Sequence, residues 1–177
     1  MSAVKFNLKD YEASAEWAEK AVALTPRDPL ANYNLGRAYY TMSKFKKAIP
    51  PLEIACRKPK YFQWPMMLGI AYYKTKQPEK AIQAYYQALK MNPDHGLIYS
   101  NMGAAYMQLK QYDEAQKYWK KAISLNPKLF DAYNNLIAVS LNMRDVETVK
   151  QALEGLKKNG GKPAQRFVPR LKHLGLL

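Results

Sequence analysis

Residues 99–127, YSNMGAAYMQLKQYDEAQKYWKKAISLNP, decide how this chain folds. The first half carries Tyr99, Met102, Gly103 and Tyr106; the second carries Ala115, Trp119, Ala122 and Pro127. The same residue types return upstream. Leu68-Gly69 with Tyr72, and Leu35-Gly36 with Tyr39, repeat the first half. Ala81, Tyr85, Ala88 and Pro93 repeat the second, as do Ala48, Leu52, Ala55 and Pro59, and Pro26 closes a still earlier stretch. Successive copies lie 33 or 34 residues apart. A fixed period of this size is the signature of stacked supersecondary units.

Residue chemistry predicts what each unit is. Gly36, Gly69 and Gly103 sit in otherwise helical stretches, where glycine costs up to ~1 kcal/mol relative to alanine. Close approach of a neighbouring helix would offset that cost. Ala48, Ala81 and Ala115 make the same accommodation on a second helix, and the larger residue four positions on fills the space between layers. A proline just past the second helix acts as a stop. Each unit therefore reads as a helical hairpin.

The pattern resembles the tetratricopeptide repeat family, whose signature is Trp-x2-Leu-Gly-x2-Tyr, then Ala-x3-Phe, then Pro. The resemblance covers about residues 10–157 and implies an all-α fold, a right-handed superhelical array of antiparallel helix pairs. Full units span 29–61, 62–95 and 96–129. A degenerate unit, 130–158, keeps Tyr133, Leu136 and Leu153 but has Ile137 where glycine belongs. Residues 1–28 read as a truncated first repeat, mainly its second helix. That start suggests missing residues, because arrays of this kind need a polar outer cap. Residues 159–177 form a basic tail or capping helix, with Phe167, Val168, Leu171 and Leu174 as an apolar stripe. Pro50-Pro51 falls inside a second helix and is expected to bend it without breaking the repeat.

The resemblance also implies that first helices line a concave groove that binds peptide segments. At helical spacing the groove positions are Tyr33, Arg37 and Tyr40, then Met66, Ile70 and Tyr73 with Lys74 alongside. Later units supply Ser100, Ala104 and Met107, then Asn134, Ala138 and Leu141. Asn34, Asn101 and Asn135 share the slot before the Leu-Gly position, where an amide offers a donor and an acceptor to an extended backbone. Arg37 and Lys74 do not belong in a core unless paired, and aromatics beside positive charge suit an acidic or partly apolar segment of another protein. In the turn from Lys58 to Pro65, Tyr61, Phe62 and Trp64 make a second contact site wherever they stay exposed. Chaperone co-factors of this family grip a C-terminal carboxylate with a Lys and Asn set. The matching slots here hold Tyr33, Arg37, Met67, Leu97 and Asn101, or one unit on Met66, Ile70, Asn101, Asp131 and Asn135. Neither set is a carboxylate clamp.

The formal charge of +14 is uneven. Residues 29–78 carry +8 with Glu53 as their one acid, and residues 155–177 carry +6 with none. These basic segments support an alternative, a nucleic-acid-binding helical repeat using stacked aromatics. Against it, the charges fall mainly at turns and outer edges. No enzyme is expected. The chain has no phosphate-cradling glycine loop, no Cys/His metal spacing and no Ser-His-Asp set, so no cofactor or metal site is read. Asp113-Glu114 reads as a helix N-terminus, where acids favour the dipole. Cys56 is the lone cysteine and reads as a packed thiol. It leaves the redox compartment open, with a lean towards the cytoplasm. Met1 to Asp10 lacks the apolar core of a signal peptide, and export of a longer precursor remains compatible.

Overall fold

The structure is a computed structural model that describes residues 8–177. Among these, the regular elements are helices: α1 (Leu8–Leu24), α2 (Pro29–Thr41), α3 (Phe45–Ala55), α4 (Gln63–Lys74) and α5 (Pro78–Met91), then α6 (Gly96–Gln108), α7 (Tyr112–Leu125), α8 (Phe130–Met143) and α9 (Val146–Lys158). A 3-10 turn (Gln165–Phe167) and α10 (Val168–His173) end the chain. The expected all-α architecture of sequential antiparallel helices is what forms. Two compact units divide after Asn92. In the first, each helix from α1 to α5 packs on the next; in the second, α6 to α9 do the same.

The turn inside each pair is built the same way four times. Ser43, Lys76, Lys110 and Arg144 adopt left-handed backbone, with φ of 57°, 63°, 60° and 60°. The next N–H then reaches back along the chain: Lys44 to the Tyr39 carbonyl, Gln77 to Tyr72, Gln111 to Tyr106 and Asp145 to Ser140, at 2.9–3.0 Å. This closes the orphan carbonyls of the first helix and reverses the chain. No glycine marks these positions, so the sequence carries no conventional signal for them. After Asp145 the cap is completed by its own side chain, which accepts from the Thr148 N–H and from Gln116 Nε2, each at 3.0 Å.

Those donors hold the Asp145 carboxyl below its usual range, the Thr148 bonds foremost. A depressed carboxylate stabilises the fold above the unfolded-state pKa and loses that contribution as pH falls through the folded value. Asp145→Ala should therefore cost about 1 kcal/mol at pH 7, the usual worth of an N-cap. The difference from the parent protein should shrink in acid, read by denaturant titration at neutral pH and again below the ordinary carboxylate range.

The glycines do what their spacing predicts. A Cβ on Gly36 would lie 2.5 Å from Leu52 Cγ, and one on Gly103 would lie 2.7 Å from Trp119 Nε1; on Gly69 it would run into the Tyr85 ring. Each partner is buried. In the α8–α9 pair Ile137 stands where glycine was expected and is fully buried. Small and large residues have changed sides there. Tyr133 on α8 lies against Gly155 on α9, where a Cβ would come within 2.7 Å of the ring. The unit that reads as degenerate thus keeps its close approach by exchanging the partners. Helix α3 runs unbroken through Pro50 and Pro51. Cys56 is buried, and burial pushes its thiol up to about 12, as befits a packed and unreactive sulfur.

The tail folds onto the second unit. The Ala164 N–H donates to Asn134 Oδ1 at 2.7 Å, and Arg170 Nη2 donates to the Leu141 carbonyl at 2.5 Å. Leu171 is fully buried among Leu136, Leu141, Val149 and their neighbours, with Phe167 packed against the same core.

Candidate functional site

On the first unit, α2 and α4 are adjacent first helices of successive pairs. Their inward faces carry Leu35, Gly36, Leu68 and Gly69, all buried. One step around each helix, Tyr33, Tyr40, Met66, Ile70 and Tyr73 are half-buried, while Arg37 and Lys74 are exposed. The arrangement follows from helical geometry, since positions four apart stack on one face. The Arg37 guanidinium lies 5.8 Å from the Tyr33 ring centre, and Lys74 Nζ lies 6.0 Å from that of Tyr73. Tyr40 packs edge-on to Phe45 at 5.5 Å, and burial raises its phenol pKa. The phenols of Tyr40 and Tyr73 both act on Tyr85, whose pKa is raised first by burial and then by these two neighbours. Tyr33, Arg37 and Tyr40 therefore share one face of α2, and Tyr73 and Lys74 adjoin each other on α4.

Glu53, the one acid of residues 29–78, accepts a hydrogen bond from the Tyr72 hydroxyl. Among the described residues neither Arg37 nor Lys74 comes within ion-pair distance of a carboxylate. Asn34 is half-buried on α2.

The predicted second contact site divides. Tyr61 is 51% exposed, Phe62 is half-buried, and Trp64, in the first turn of α4, is 3% exposed. Trp64 stacks on Tyr33 with ring centres 4.7 Å apart, and Tyr61 meets it edge-on at 6.2 Å. Together with Leu30 and Gln63 these rings line a notch of about 390 Å³. Leu30 escapes a sequence reading because it lies off the groove register, although an apolar residue 54% exposed directly after Pro29 is the sign to look for.

On the second unit, Asn101 and Asn135 are half-buried on α6 and α8. The Asn134 amide is engaged within the chain at both ends: Nδ2 donates to the Phe130 carbonyl, and Oδ1 accepts from Ala164 in the tail. It anchors the tail. Leu141 is 3% exposed and belongs to the core beneath α10, and Ser100 is buried with its carbonyl bonded to Trp119 Nε1. Neither is a surface position. Asp113 and Glu114 lie in the first turn of α7, where they complement the helix dipole. No helix among the described residues is long and apolar enough to cross a membrane.

Comparison with known proteins agrees with this geometry. Profiles of the tetratricopeptide repeat match residues 4–61, 66–95 and 97–129, most of the chain. Small glutamine-rich tetratricopeptide repeat-containing protein 2 of Saccharomyces cerevisiae is 36% identical over 88 residues, 49% of this chain and 25% of that protein, so the chain spans a quarter of that relative's length. Among solved structures, a crystal structure of MamA superposes with a TM-score of 0.77 at 23% identity, covering 86% of this chain and 92% of that one. YrrB, described as a tetratricopeptide repeat protein with an unusual peptide-binding site, superposes with a TM-score of 0.72 at 24% identity, covering 86% and 77%. The repeated Leu-Gly-x2-Tyr helices, the closing prolines and these matches together place the chain in the tetratricopeptide repeat family.

Proposed function

We propose that the protein is a non-catalytic scaffold that binds a segment of a partner protein along the exposed face of α2 and α4. The observation that carries this reading is the cluster Tyr33, Arg37, Tyr40, Met66, Ile70, Tyr73 and Lys74. Apolar and aromatic surface is left half-open there beside two cations that have no carboxylate partner among the described residues. Tetratricopeptide repeat proteins mediate protein and peptide binding, and YrrB carries a peptide-binding site on a like fold. An extended acidic or partly apolar segment matches the chemistry. Tyrosine and methionine supply contact area at low entropic cost, and Arg37 and Lys74 select charge. Asn34 offers its amide to the bound backbone, while Asn101 and Asn135 hold the equivalent slots on α6 and α8. The carboxylate-clamp slots on α2 hold Tyr33 and Arg37 in place of a lysine and an asparagine, so an internal acidic segment is the expected ligand.

A photo-cross-linking residue in place of Tyr40 or Tyr73 should trap a fluorescein-labelled acidic peptide. The same residue in place of Lys46 or Lys47, exposed on α3, should trap none. Trapping from α3 alone would overturn the assignment.

A further inference from the structure

The notch of Leu30, Tyr33, Tyr61 and Trp64 abuts the proposed binding face through Tyr33, which belongs to both. We propose that this notch is an anchor pocket that takes one apolar side chain of an acidic segment, whose flanking carboxylates meet Arg37 and Lys60. The proposal rests on the reading of α2 and α4 as a peptide-binding face and names the residue class that it selects.

Three features support it. Leu30 and Tyr61 are large apolar side chains that remain about half exposed at the mouth, whereas Trp64 forms a buried floor. A volume of about 390 Å³ lies within the range of small-ligand pockets. Cations stand beside two of its rings: Arg37 lies 5.8 Å from the Tyr33 ring centre, and Lys60 Nζ lies 5.4 Å from that of Tyr61. The nearest acid in sequence, Asp28, is committed to capping α2 through the Ala31 N–H. Charge complementarity therefore selects an acidic occupant.

The same features select against two other ligands of aromatic clusters. A quaternary ammonium group would have to approach rings already faced by Arg37 and Lys60, in a segment of charge +8. A single-stranded nucleic acid needs open ring faces for its bases. Tyr33 is covered by Trp64 on one ring contact and by Arg37 on another, Trp64 is buried, and Lys60 lies over Tyr61. Ring edges and the Leu30 methyls remain, which suit an inserted apolar side chain.

The test uses the whole chain and three fluorescein-labelled probes: a nonapeptide of Asp and Glu with one central Phe, the same peptide with Ala at the centre, and a thymidine decamer. The parent protein should bind the Phe peptide about tenfold tighter than the Ala peptide, the return expected from burying an aromatic side chain. Leu30→Ala with Tyr61→Ala alters only half-exposed positions. It should abolish that preference, so that the variant binds the Phe and Ala peptides equally. Equal binding of the two peptides by the parent protein overturns the pocket, and so does a preference that survives in the double variant. Failure of both peptides to bind at low salt overturns it too. Tighter binding of the decamer than of the Phe peptide, weakened by the same double variant, assigns the notch to nucleic acid and overturns it as well. The face itself is tested separately by Arg37→Glu with Lys74→Glu. If that variant loses both peptides while the parent shows no Phe preference, the face stands and the pocket falls.

Discussion

Trp119→Ala should destabilise the second unit by about 3–5 kcal/mol, the usual range for deleting a buried tryptophan side chain. The indole is buried against Gly103 and belongs to a cluster with Ala115, Ala122, Ala132 and Leu136. Its Nε1 donates to the Ser100 carbonyl at 3.0 Å, so the truncation leaves that acceptor without its partner as well as opening a cavity. A loss of this size is a large share of the stability of an ordinary domain. Trp17→Ala is the control. That side chain is 70% exposed, and its removal should stay within about 0.5 kcal/mol. Guanidinium titration followed by circular dichroism measures both. Gly103→Ala adds a check of sign. With Trp119 present, the new methyl overpacks the interface at a cost of about 1–3 kcal/mol, against a helix-propensity gain of up to ~1 kcal/mol. In the Trp119→Ala background the clash is gone and the same substitution should become stabilising.

The second large effect concerns binding. Reversing Arg37 and Lys74 to glutamate removes two attractions for an acidic segment and substitutes two repulsions on a face with no carboxylate partner for either cation among the described residues. Exposed charge pairs are each worth up to about 1 kcal/mol, so the double reversal should weaken an acidic peptide by about 10- to 100-fold at low salt. The difference should shrink as salt screens charges beyond roughly 10 Å. Stability should change little, since both side chains are exposed.

Much of this architecture is legible in the sequence alone, because the repeat ties each residue type to one packing duty. Gly36, Gly69 and Gly103 signal close helix contacts, and each has its large partner where the period puts it, at Leu52, Tyr85 and Trp119. What the sequence hides depends on contacts that periodicity does not encode. The left-handed turns at Ser43, Lys76, Lys110 and Arg144 carry no glycine, because the turn hydrogen bonds impose a conformation those residues do not favour. The fourth unit reads as degenerate at Ile137, yet Tyr133 and Gly155 restore the fit from the opposite helices. Asn134 sits in the groove register, but its amide holds the tail, a distant partner in sequence that no local pattern reveals. The notch combines Tyr33 from one helix with Tyr61 and Trp64 from the next pair, and Leu30 joins it from outside either pattern.

The most direct measurement of the central claim is a charge swap. Anisotropy titrations would compare the parent protein and the Arg37→Glu, Lys74→Glu variant against an acidic peptide with a central Phe and against its lysine counterpart. A segment lying along α2 and α4 predicts an exchange of preference: the parent binds the acidic peptide, and the variant loses it and gains the basic one. Undiminished binding of the acidic peptide by the variant, with no gain for the basic peptide, would contradict the account.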